Sequence, residues 1–137
     1  MPVNPVMKKL LLKPGQKAAF INAPKGYLSS LGELPEGVTA ARKLSGKCDF
    51  IQLFVTDLAE LKKHAPKVFA AAAPDALVWI CYPKGTSKVK TDLNRDILWK
   101  QVEGSGFLGV ALIAIDETWS AMRFREEQKV SGKKTRG

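Results

Sequence analysis

"CDFIQLFVTDLAELKKHAPKVFAAAAPDALVWICYP", residues 48–83, is the stretch whose reading decides the fold. It opens on a near-continuous apolar run, Phe50 to Val55, of strand length. Asp57 then stands where a helix N-cap belongs. Leu58, Leu61, Ala65, Val68, Phe69 and Ala72 follow at spacings of three and four, with Glu60, Lys63, His64 and Lys67 mainly on the other side. That is one apolar helix face. Pro66 has no N–H and breaks the pattern, which predicts a kink or two short helical pieces. The alanine run 70–73 reads as helix packing. A second apolar run, Ala76 to Tyr82, stops at Pro83. Apolar strands joined through a helix imply a parallel sheet covered on both faces.

The pattern extends outward in both directions. Toward the N-terminus, Pro14-Gly15 marks a turn into a strand over Lys17 to Asn22. "APKGYLSSLGEL" then predicts a short helix with Pro24 in its first turn and Leu28, Leu31 and Leu34 on its inner face. "LPEG" ends it, and a weaker strand spans Val38 to Leu44. Only Ser45-Gly46-Lys47 separates that strand from the next, whereas a parallel crossover usually needs a dozen or more residues. The second strand is therefore shorter than its apolar pattern, antiparallel, or absent. Toward the C-terminus, Thr91 or Asp92 caps a helix over roughly 92–103. Its apolar residues spread around the wheel, as in a helix covered on two sides. "GSGFLGVALIAID" reads as a further buried strand, Leu108 to Ile115. "TWSAMRFR" alternates like its antiparallel hairpin partner. The expected fold class is α/β: a single Rossmann-like domain over residues 1–125, with a basic tail at 126–137.

The chain has 137 residues, 45% of them hydrophobic, enough for one packed domain. Cys48 and Cys81 are too few for a disulfide framework and suit a reducing compartment. No run is long and apolar enough to span a membrane, and Leu10 to Leu12 is too short for a signal peptide. A cytoplasmic protein without a membrane partner is expected. The net charge is +9, of which the tail carries +2. That excess invites a small anionic ligand or, as a second class of partner, nucleic acid. One histidine and two separated cysteines make no metal-ligand pattern, and no hydrolase elbow, P-loop or zinc-protease motif occurs.

Open parallel sheets bind ligands beyond the carboxyl ends of their strands. The loops at that edge nominate the candidate residues. Lys25, Lys84, Lys88 and Lys90 would supply positive charge, with Thr86 or Ser87 completing an anion clamp. Tyr27 and Tyr82 would form walls, and Asn22 and Thr91 polar contacts. Gly26 lets backbone approach a ligand, and the Asp116–Trp119 turn adds a carboxylate and an indole. Asp57 or Asp116 would serve as base if the chain catalyses a reaction. Thr91-Asp92 is also explained as a helix cap, and His64 lies on a polar helix face away from this edge.

Four stretches, "LLLKPGQKAAFINAPKGYLSSLGELPEGV", "CDFIQLFVTD", "LVWICYPKGTSKVKTDLNRD" and "AIDETWSAMRF", resemble a family of small bacterial proteins. That family is known as domain of unknown function three thousand and fifty-two. The resemblance covers about Lys8 to Arg125 and implies a fold rather than an activity. The chain also resembles a shortened class I methyltransferase core, with "KPGQKAAFIN" at the first strand and "WSAMRF" as the final antiparallel strand. This implies the spatial strand order second, first, third, fourth, sixth, fifth. The cofactor motif departs from that resemblance. The turn after the first strand has one glycine, Gly26, and Pro24 removes a donor there. Arg42-Lys43 stand where such enzymes carry a ribose-binding carboxylate. S-adenosylmethionine in its usual mode and NAD are both disfavoured. NADP suits a basic residue at that point but lacks its glycine fingerprint. No cofactor is assigned. The reading is a module binding a nucleotide or phosphorylated metabolite at the carboxyl edge, with a divergent transferase or a nucleic-acid-interacting protein as alternatives.

Overall fold

The computed structural model describes residues 9–31, 34–44, 46–85, 88–103 and 105–126. In chain order the elements are β1 (Lys17–Ile21), α1 (Tyr27–Ser30), β2 (Thr39–Ala41), β3 (Cys48–Phe54), α2 (Leu58–Ala71), β4 (Ala72–Pro83), α3 (Arg95–Val102), β5 (Phe107–Ala114) and β6 (Trp119–Glu126). Six strands form one sheet in the order β2-β1-β3-β4-β6-β5. β1 to β4 run parallel, and β6 inserts antiparallel between β4 and β5. This is a Rossmann-like α/β sheet with the expected strand order.

Strand parity sorts the core into two layers. Ile51, Leu53, Val78, Ile80 and Tyr82 meet α2 and α3 through Leu61, Val68, Leu98 and Val102. Phe50, Phe54, Trp79 and Cys81 face the opposite side, where Leu10, Leu12, Tyr27 and Leu31 cover them. The second cover is mostly irregular chain. It is pinned where the Trp79 indole donates to the Leu10 carbonyl at 3.1 Å.

β2 is shorter than its apolar pattern, and parallel. Its last residue, Ala41, is level with Ala19, which is level with Ile51. The chain must therefore retreat only from the level of Ile51 to Cys48 while crossing β1. That diagonal is about 14 Å from strand rise and spacing. Residues 42–47 can extend about 20 Å. A three-residue strand makes a helix unnecessary for this crossover, which packs Leu44 onto the α2 layer.

Three local expectations are corrected. α2 is one helix through Pro66, which removes the two-piece half of the expectation of a kink or two pieces. An interior proline costs about 3 kcal/mol. Leu61 and Val68, on either side of it, are fully buried and contribute roughly 1.5–3 kcal/mol each. The alanine run divides: Ala70 and Ala71 close the helix, and Ala72 and Ala73 start β4. β5 is an edge strand, not a buried one, and Val110 and Leu112 are 39% and 47% exposed. Gly109 is needed on β5, because a Cβ there would lie 2.7 Å from the Trp99 ring that crosses it. No described helix is long and apolar enough to cross a membrane.

Candidate functional site

The carboxyl edge is built by the connections that leave β1 to β5. After β1 the backbone turns through two left-handed residues, Asn22 (φ 60°) and Gly26 (φ 83°). Asparagine and glycine are the residues that tolerate this conformation best. The turn closes where Tyr27 N donates to the Pro24 carbonyl at 3.0 Å. Across from it lies the β5–β6 hairpin. There Asp116 Oδ1 accepts from Thr118 N and Trp119 N, both at 2.8 Å. Between the two is a cleft of about 200 Å³ lined by Pro24, Lys25, Gly26, Tyr27, Ser30, Asp116 and Trp119. Lys25 is exposed and Trp119 half-buried.

Beneath the cleft runs a buried polar chain. The Tyr27 hydroxyl donates to Gln52 Oε1 at 3.0 Å, and Gln52 Nε2 donates to Cys81 Sγ at 3.2 Å. Gln52 is fully buried, so these bonds satisfy an amide that would otherwise be costly to desolvate. Burial drives the Tyr27 hydroxyl well above the usual phenol range, and drives the Cys81 thiol up to about 12. Both groups are neutral at physiological pH. The Tyr27 ring is held edge-on to Phe54, which in turn meets Trp119 edge-on, with centroids 4.8 and 5.1 Å apart. The apolar wall of the cleft is thus continuous with the core.

The loop after β4 is arranged differently. Thr91 Oγ1 accepts from Leu93 N at 3.0 Å. Asp92 Oδ1 accepts from Leu58 N at 2.8 Å, so it caps α2 rather than its own helix. The cap of α3 is Asn94, whose side chain accepts from Ile97 N, and the helix starts later than expected. Asp57 also serves α2, accepting from Glu60 N at 2.8 Å. Glu60 reaches back to Thr56 N at 2.7 Å and Thr56 Oγ1 at 2.9 Å. These bonds hold the Glu60 carboxyl below its ordinary range. Lys84 N extends the β4–β6 ladder to the Thr118 carbonyl at 2.8 Å. Lys88 and Lys90 are exposed. Thr86 and Ser87 lie outside the described residues.

Of the nominated residues, Lys25, Gly26, Tyr27, Asp116 and Trp119 converge on one cleft. Asn22 shapes the entering turn. Asp57, Lys84, Lys88, Lys90 and Thr91 do not line it. Tyr82 lies in the α2–α3 layer, so it cannot form a wall with Tyr27. Pro24, Ser30 and the buried Gln52 were not nominated. The lone amide within "DFIQLFV" was the available signal for Gln52. No cluster of three metal-ligating side chains occurs among the described residues.

No family model and no curated protein matches the chain in sequence. Solved structures do match in fold. A SAM-dependent methyltransferase from Aquifex aeolicus superposes with TM-score 0.60 at 16% identity, over 87% of this chain and 86% of that one. A ribosomal protein L11 methylase from Lactobacillus delbrueckii subsp. bulgaricus gives 0.59 at 10% identity, over 88% and 74%. A protein of the NADB-Rossmann superfamily from Streptococcus agalactiae gives 0.54 at 8% identity, over 92% and 69%. The core is methyltransferase-like in fold.

Proposed function

We propose that this chain binds a small anionic ligand, the phosphate end of a nucleotide or phosphorylated metabolite, in the cleft between the β1 turn and the β5–β6 hairpin. The observation that carries this is convergence. Lys25, Gly26 and Ser30 come from one segment and Trp119 from another far along the chain, and they line one concavity at the carboxyl edge. That edge is where open α/β sheets take ligands. Lys25 supplies the charge, and Arg42 and Lys43 stand exposed just past the neighbouring β2. Ligand pockets usually measure about 300–1,000 Å³. A cleft of about 200 Å³ encloses one end of a ligand, the rest lying along the open edge. The proposal extends to membership of the small bacterial family named above, which rests on the quoted stretches.

A thermal-shift screen of inorganic phosphate, phosphorylated metabolites, nucleotides and S-adenosyl compounds tests the reading. A binder raises the midpoint with its concentration. Lys25→Ala should remove that rise. A rise unchanged in Lys25→Ala would move the site elsewhere.

The methyltransferase-like core favours a second reading, a divergent transferase. Asp116 is its best base, since it lines the cleft with its Oδ1 fixed by the hairpin amides. Asp57 is committed to capping α2. A proline and a single glycine after β1 argue against S-adenosylmethionine in its usual seat. Methyl transfer from S-adenosylmethionine that is lost in Asp116→Asn would establish this reading over simple binding.

A further inference from the structure

The sheet ends unequally. β2 closes one side with three residues, while β5 closes the other with eight. Half of the N–H and C=O groups of an outer strand point away from its only neighbour. Natural edges are normally protected by lysine, proline, inward charge or a β-bulge. From Phe107 to Ile115 this chain has no lysine, proline or charge, and a bulge is its one such device. It presents Val110, Ala111, Leu112 and Ala114 to solvent instead. Met122 on β6 packs toward α2 and α3, so its register partner Leu112 shares that face. On the same side the Trp99 indole lies across Gly109 and is 44% exposed. A bulge between Gly109 and Ala111 is the one interruption of the edge.

We propose that β5 pairs antiparallel with β5 of a second copy of this chain, joining the two sheets about a two-fold axis. Symmetry satisfies both edges at once and leaves no further β5 edge, so assembly stops at a dimer. The two-fold brings like faces together, placing Leu112 and Trp99 of both copies on one side of the joined sheet.

The other occupants fit less well. Residues 1–8 carry Pro2 and Pro5, which cannot donate to a ladder. Residues 127–137 carry Lys129, Lys133, Lys134 and Arg136 and little apolar side chain to cover Val110 or Leu112. An acidic partner drawn by the +9 charge finds no cation on β5. An uncharged strand in a strongly basic chain is a place where two copies can approach without repulsion along the contact.

A strand of this length presents about 26 Å of edge. Stable interfaces bury roughly 800 Å² per partner. One strand and an indole fall near the small end of that scale, so the dimer exchanges with monomer. The test is light scattering after gel filtration over a dilution series. The mass should move from 15.0 kDa toward twice that value with concentration. Val110→Lys and Leu112→Lys should each weaken association by more than about tenfold, with unchanged far-UV circular dichroism. Leu11→Lys, at an exposed leucine in the N-terminal segment, should leave it intact. Hydrogen exchange on the native chain gives a readout independent of variant folding, with β5 amides protected as concentration rises. A native chain monomeric at all concentrations overturns the proposal. So does a dimer that survives both lysines, or β5 exchange that ignores concentration.

Discussion

Two of the loops at the carboxyl edge of this sheet invert what their sequences suggest. The loop after β4 is dense in lysine, yet its described side-chain bonds do structural work: Thr91 folds the loop and Asp92 caps α2. The turn after β1 has one lysine and one glycine. It forms one wall of a cleft whose other wall comes from the hairpin about ninety residues later. Lys88 and Lys90 stand exposed in the first loop, whereas the cleft draws its walls from segments remote in sequence.

Substitutions can break this comparison, beginning with the largest effect. Tyr27→Ala removes a buried ring from Phe54 and strands Gln52. It should cost about 3–5 kcal/mol, read from urea unfolding. Tyr27→Phe keeps the ring and leaves Gln52 Oε1 without its donor, costing about 1–3 kcal/mol. If Tyr27→Phe were neutral, the cleft floor would not be held by that bond. Lys25→Ala should weaken the bound anion by about 1.5–3 kcal/mol, the range for a charged hydrogen bond. It should leave unfolding unchanged. Asp92→Ala should destabilise by about 1 kcal/mol through the lost cap, while Lys88→Ala and Lys90→Ala should stay within about 0.5 kcal/mol. A ligand effect from either lysine larger than that of Lys25 would reverse the assignment of the two loops.

The titrating groups add a pH test. The folded Cys81 thiol sits near 12 and the Tyr27 hydroxyl is also raised, so the unfolded chain releases these protons first. Stability is full below their ordinary values and falls as pH rises from about 9. Glu60 acts at the other end. Its lowered folded value gives stability present above its ordinary range and lost as pH falls through the folded value. Melting midpoints across pH should decline at both ends, and Glu60→Gln should flatten the acid decline.

Much of the fold was legible because continuous apolar runs identify parallel strands almost unaided. The strand order came through the resemblance carried by the final antiparallel strand. What stayed hidden depended on long-range partners. An apolar run such as "FLGVALIAI" reads alike in a sheet centre and at an edge, so the exposure of Val110 and Leu112 was invisible. Thr91, Asp92 and Asn94 are all good caps by chemistry, and the partner of Asp92 is 34 residues away. Of the nominated residues, those after β1 and in the β5–β6 hairpin line one cleft, but parity alone does not say which face Tyr82 shares with a helix. Gln52 was seen only as an interruption, since its two partners come from α1 and β4.

The most direct test of the central claim is a backbone amide NMR titration of the native chain with the ligand panel. Shifts confined to Lys25–Ser30 and Asp116–Trp119 are the expected result. Shifts centred on Lys88–Thr91, or none with any ligand, would contradict it.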